Sequence, residues 1–221
     1  MVKIVCDSGP LISFSDTCLI NVLSFLSKRG AEFLIPRSVQ QEIVFTPLKI
    51  RRYAFSAVRL NKAIDDNVLR VVDVDNLLVD RITNAANRVF SVRGNSLKIL
   101  HVGEVAALAA CKKYGCEALV IDEKTTRLLI EDPALLQENI SDEYHSRINV
   151  NAKSLAEFNA LTKGIQILRS TDLAAVAAKK GYFASFGKHS QQAFQTSIYA
   201  LKQAGCSVSE KEVSDYQAIK I

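Results

Sequence analysis

Histidine is scarce in this chain: only three occur, at 101, 145 and 189, and no two are spaced to meet on one face of a helix. That argues against a zinc centre and against Ser-His-Asp catalysis, since both need imidazole at a fixed place. The five cysteines, Cys6, Cys18, Cys111, Cys116 and Cys206, are odd in number and contain no C-x-x-C pair. Zinc ribbons, redox motifs and a disulfide framework are therefore not supported, and buried free thiols in a reducing compartment are expected. No apolar run approaches the roughly 20 residues of a membrane helix, so no membrane partner is expected. The opening, Met1 to Asp7, sets an acid directly after a short apolar run, which makes a poor signal peptide. Internal repeats and low-complexity segments are absent. A soluble, cytoplasmic protein is the expectation.

What is present is enough apolar matter for a packed core: 48% of the 221 residues are hydrophobic and 23% charged. The net charge of +5 is unevenly placed. Residues 131–221 hold ten Lys/Arg and ten Asp/Glu, whereas residues 1–130 hold eighteen and thirteen. The first part thus carries the whole positive excess, which suits a polyanionic partner.

Short β-favouring runs alternate with helical patterns. Lys3-Ile4-Val5-Cys6 stops at Asp7-Ser8-Gly9-Pro10, a strand end, tight turn and helix start, with Asp7 or Ser8 as cap. A helical stripe from Leu11 to Leu26 ends near Gly30, a strand Phe33-Leu34-Ile35 follows, and Pro36-Arg37-Ser38 opens a second helix. Residues 47–66 and 76–92 read as helices on either side of a strand, Leu69–Val74. An Ala-rich helix runs from Gly103 to Tyr114 and stops at Gly115, before a strand Ala118–Ile121 that ends at Asp122. Residues 131–164 show no clean period and read as an irregular insertion or linker. Ile165–Leu168 reads as a strand, and Thr171–Lys180 and 189–204 read as helices. Strands that alternate with helices imply a parallel sheet covered on both faces. The expected fold is a three-layer α/β/α sandwich over residues 1–130, with a small, mostly helical C-terminal extension, 165–221. That extension would pack on the core or mediate a homodimer.

Chemistry points to the carboxylates. Asp7 and Asp122 each follow directly on a strand, at the carboxyl edge where open α/β sheets bind ligands. Glu104 sits in the first turn of its helix, where the dipole favours its charge. Glu42 lies on the second helix. Taken singly, a strand-end Asp is a turn or helix cap and a first-turn Glu a dipole partner; the conjunction is what suggests a site. Acids gathered this way repel one another unless cations sit between them or their pKa values rise. Oxygen ligands without histidine suit Mg²⁺ or Mn²⁺.

Four segments, in order, resemble the PIN domain family: Ile4-Val5-Cys6-Asp7-Ser8-Gly9-Pro10-Leu11-Ile12, Ile35–Ile43 around Glu42, Val102-Gly103-Glu104-Val105-Ala106-Ala107, and Leu119–Arg127 beginning Leu119-Val120-Ile121-Asp122. The resemblance covers roughly residues 1–130 and implies a metal-dependent ribonuclease directed at single-stranded RNA, often the toxin of a toxin–antitoxin pair. It implies Asp7, Glu42, Glu104 and Asp122 as the catalytic acids, with Asp7, Glu104 and Asp122 on Mg²⁺ or Mn²⁺. Ser8 would assist at the first acid. Where many members carry another acid or polar residue after the fourth, this chain offers Glu123 and Thr126.

Lys49, Arg51, Arg52, Arg59 and Lys62, interleaved with Tyr53 and Phe55, form the expected nucleic-acid contact, although Phe55 itself is expected in the core. Two further readings stay open: a non-catalytic RNA-binding or assembly module, and a structure-specific DNA nuclease, which usually needs more acids. A haloacid-type phosphatase would need a second Asp two residues after Asp7, and position 9 is Gly. The final segment carries no recognisable chemistry.

Overall fold

A computed structural model describes all 221 residues. The chain opens with β1 (Val2–Cys6), which leads through α1 (Ser8–Asp16) and α2 (Asn21–Ser27) to β2 (Ala31–Pro36). A short α3 (Arg37–Gln40) loosens into a π turn, Gln41–Phe45, and a 3₁₀ turn, Pro47–Lys49, before α4 (Arg51–Asp65) and β3 (Leu69–Val72). The chain then crosses through α5 (Asn76–Ala86), the hairpin β4 (Phe90–Val92) and β5 (Asn95–Ser96), and α6 (Val102–Tyr114) to reach β6 (Ala118–Val120). Three more elements follow, α7 (Lys124–Glu131), α8 (Pro133–Tyr144) and β7 (Ile148–Val150). Next come α9 (Ala152–Thr162) and β8 (Gln166–Leu168), then α10 (Ser170–Lys179), a 3₁₀ stretch Tyr182–His189, α11 (Ser190–Gln203) and α12 (Glu210–Gln217).

Five strands form one parallel sheet in the order β3-β2-β1-β6-β8. Parallel pairing requires a crossover between strands, and the intervening helices supply it on both faces. The alternation inside the strands sorts the core. Ile4, Cys6, Phe33, Ile35, Ala118 and Val120 face the layer of α1, α2, α4, α10 and α11, while Val5, Leu34, Leu119 and Ile121 face that of α5 to α9. The fold is the expected three-layer sandwich. Strand order reverses at β1, so the crevice between the carboxyl ends of β1 and β6 is the topological switch point, where such sheets bind ligands.

Several elements differ from the sequence reading. Residues 131–164 are ordered rather than irregular: Asp132 caps α8 by accepting from the Leu135 amide at 3.0 Å, and Asn151 caps α9 from Ser154 at 3.1 Å. Each helix buries only a narrow stripe (Leu136 and Ile140 in α8, Phe158 and Leu161 in α9), too thin to read as a period. Between them β7 joins a second, antiparallel sheet, β5-β4-β7. The expected helix 76–92 therefore ends at Ala86, and β4 follows. Phe55 is not core but 71% exposed, because α4 turns Ala57, Leu60 and Ala63 inward instead. Four cysteines are buried free thiols as expected, while Cys18 is exposed. The C-terminal segment supplies β8, the edge strand of the main sheet, and much of one helical layer.

Candidate metal and nucleic-acid site

The register of β1 against β6 places the two strand-end acids together. Cys6 lies opposite Val120, and the Asp7 amide donates to the Val120 carbonyl at 3.0 Å, so Asp122 emerges just beyond the level of Asp7. Both are buried, at 7% and 4% exposure, and each keeps one carboxylate oxygen, Oδ1 of Asp7 and Oδ2 of Asp122, without a hydrogen-bond partner. An orphaned buried carboxylate oxygen is costly and calls for a proton or a cation. Burial pushes Asp7 up to about 7, and the charges of Glu104 and Glu42 add to the rise; the facing amides of Ser8 and Gly9 oppose it without closing a hydrogen bond. Burial also raises Asp122, against the Ser170 amide, the Cys206 thiol, the Ser170 hydroxyl and Arg169.

Glu104 is the best-held acid of the four. From the first turn of α6 its Oε2 accepts the His101 amide at 2.6 Å and its Oε1 accepts the Thr126 hydroxyl at 2.9 Å. Burial raises its pKa, with those two donors opposing. Glu42, in the π turn, is exposed and reaches across to the same helix start. A Cβ on Gly103 would stand 3.0 Å from its Oε1. Gly103 is thus the residue that lets two acids share one helix N-terminus, whose dipole favours both.

The supporting positions have local roles. Glu123 is exposed and caps α7 by accepting the Thr126 amide at 2.6 Å. Thr126 is fully buried, and its hydroxyl serves Glu104. Ser8 is half-buried at the start of α1, with its amide toward Asp7. No three acidic, histidine or cysteine side chains converge to the spacing of a bound ion. The donor set still fits a hard divalent cation: all the donors are oxygens, two of them are buried without partners, and a third acid, Glu42, is exposed and free to swing.

The five basic residues do not form one path. As the crossover into parallel β3, α4 runs against the strands, so Lys49, Arg51 and Arg52, all exposed, stand at the carboxyl edge with the acids. Arg59 and Lys62 lie up to about 16 Å further down the helix. There they line a cleft of about 630 Å³ with Lys28 and Asn67 at the opposite end, and Lys62 pairs with Asp66 at 2.9 Å. The sequence reading missed a cleft of about 300 Å³ beside Glu104 and Glu123 that also holds Lys98, His101 and Tyr144. Tyr144 and Lys98 come from elements far apart in sequence, and no local pattern links them. It also missed Ser170 and Arg169, which face Asp122. The only signal there is the start of the helix read from Thr171.

The fold is an α/β sandwich with an acidic crevice at its topological switch point. Residues 3–133 match the family described as a PIN domain, so the chain belongs to the PIN domain family, whose members are in general metal-dependent nucleases acting on nucleic acid. No curated protein and no solved structure matches the chain significantly.

Proposed function

We propose that this protein is a divalent-metal-dependent endoribonuclease that hydrolyses phosphodiester bonds of single-stranded RNA. The observation that carries the reading is the pair Asp7 and Asp122, buried on either side of the switch point with one unpartnered carboxylate oxygen each. Asp7, Glu104 and Asp122 would hold Mg²⁺ or Mn²⁺, with Glu42 as the fourth acid. When bound, the ion supplies Lewis acidity at the phosphate and lowers the pKa of water. Thr126 and the His101 amide keep Glu104 aimed, and Lys49, Arg51 and Arg52 hold the phosphate backbone at the same edge. The exposed ring of Tyr144, with Lys98 beside it, offers a base a stacking surface in the adjoining cleft.

The same reading makes the chain the toxin of a toxin–antitoxin pair in the cytoplasm, with a small antitoxin and a second copy of itself as partners. Six exposed apolar side chains in one stretch of the chain, Phe45, Leu48, Ile50, Tyr53, Phe55 and Val58, support a protein partner.

The test uses end-labelled single-stranded RNA and DNA of one sequence, incubated with Mg²⁺, Mn²⁺ or EDTA. Internal cleavage of RNA alone, lost in EDTA and in Asp7→Asn and Asp122→Asn proteins that remain folded, is the expected result. Variants that cut as the parent does would place the activity elsewhere. RNA bound but uncut in every metal would leave a non-catalytic binding module.

A further inference from the structure

Asp122 is held by a part of the chain that the family match does not reach. The match ends at residue 133, yet Asp122 Oδ1 accepts the Ser170 amide at 2.8 Å, and the Asp122 carbonyl accepts the Ser207 amide at 3.0 Å. Strand pairing sets this register, with the Ile121 amide donating to the Leu168 carbonyl at 2.8 Å, so the chain leaves β8 and enters α10 right beside the acid. With Oδ1 taken, Oδ2 is the carboxylate oxygen left buried and unpartnered.

The start of α10 is itself fastened. Arg169 donates to Glu212 Oε1 at 2.7 Å and to the Tyr216 hydroxyl at 3.1 Å, and that hydroxyl donates on to Asp172. Burial works to raise the Glu212 carboxyl, but the Ser209 amide and Arg169 outweigh it and hold it at about 2, so this anchor stays charged at any working pH. α12 is thereby locked onto the first turn of α10.

We propose that Ser170 is a positioning residue of the acidic site. Its amide, at the N-terminus of α10, fixes the rotamer of Asp122 so that Oδ2 alone is presented to a divalent cation, and the Arg169–Glu212–Tyr216 lock holds that amide in place. The C-terminal segment, 165–221, is on this view a working part of the site. The inference rests on the proposed cation site and adds to it the residue that aims one of its ligands.

The backbone at this position accepts proline, although the Ser170 side chain is fully buried. Ser170 is the first residue of α10, where proline is well tolerated, and Arg169 before it is already extended (φ −109°, ψ 167°) as a residue preceding proline must be. Ser170→Pro deletes the N–H and the hydroxyl together, whereas Ser170→Ala deletes only the hydroxyl. The measurement is Mn²⁺ affinity by calorimetry, alongside metal-free melting temperature. Ser170→Pro should bind Mn²⁺ about tenfold or more weakly, as loss of an orienting partner does, and Ser170→Ala should stay within about threefold of the parent. Equal loss in both variants would overturn the role of the amide, and so would parent affinity in a folded Ser170→Pro. Should Ser170→Pro not fold, the parent decides by NMR: on Mg²⁺ titration the Ser170 amide resonance should move while that of Ser190, at the start of α11, stays. A still Ser170 resonance under saturating Mg²⁺ overturns the proposal. A parent that binds neither ion removes the cation site itself, which is a separate failure from that of α10.

Discussion

Asp7 shows how a single residue carries both a cost and a function. Its folded pKa of about 7 lies above the ordinary 3.8, so the folded chain binds a proton that the unfolded chain releases. The stability this proton contributes is fully present below about pH 4 and is lost as pH rises through 7, a change on the order of 4 kcal/mol. Metal-free Asp7→Asn should therefore melt above the parent at pH 8 and close to it at pH 4. Equal melting temperatures at pH 8 would mean that Asp7 is not strained. The same proton competes with a cation, so the Mn²⁺-induced rise in the parent's melting temperature should be larger at pH 8 than at pH 6. Gly103 provides a second test at this scale. Ala there would set a Cβ 3.0 Å from Glu42 Oε1, and a flexible, exposed side chain can yield. Gly103→Ala should keep or slightly raise the melting temperature, since Ala favours helix over Gly by up to about 1 kcal/mol, yet lose cleavage as Glu42 is displaced. Unchanged cleavage would take Glu42 out of the site.

Among the elements, α4 separates what a pattern reveals from what geometry adds. Its four cations, Arg51, Arg52, Arg59 and Lys62, lie with Lys49 of the preceding 3₁₀ turn within one short stretch of sequence and read there as one contact surface. In the fold they point to two ends of the sheet, because a crossover helix runs the length of the strands it joins. If Arg51 and Arg52 touch phosphate, log affinity for single-stranded RNA against log salt should flatten by roughly 1.4 in the Arg51→Ala/Arg52→Ala protein. The Arg59→Ala/Lys62→Ala protein should keep the parent slope. A salt titration of RNA binding in Ca²⁺ measures both, and the reverse outcome would move the RNA to the far cleft. The exposure of Phe55 has the same origin: its aromatic character suggests burial, but Ala57, Leu60 and Ala63 occupy the inward face.

At the scale of the whole molecule, the C-terminal segment is bound into the core. Leu173, Ala174, Phe183, Phe194, Ile198 and Leu201 belong to the same buried cluster as Ile4, Phe14 and Phe33, and β8 completes the sheet beside β6. A chain ending at residue 164 would leave that cluster open along one layer and the β6 edge unpaired. Such a protein should show no cooperative melt by calorimetry. A sharp transition near the parent's would make 165–221 an appendage.

The main-sheet strands and most helices of the first 130 residues, though not β4 and β5, and the strand-end or first-turn setting of Asp7, Glu104 and Asp122, were legible because short-range physics decides them. Alternating apolar runs, a Gly stop and acids at element ends are visible within a few residues of one another. The narrow stripes of α8 and α9 and the pairing of β7 with β4 were not, since each is stabilised by surface that belongs to another element. The hold on Asp122 lay further out of reach. Ser170 is 48 residues away along the chain and reads there as an ordinary helix start. Only the pairing of β8 with β6 brings its amide to the carboxylate, because a parallel strand can dock beside its neighbour only after a long crossover, and that crossover hides the contact from any local pattern.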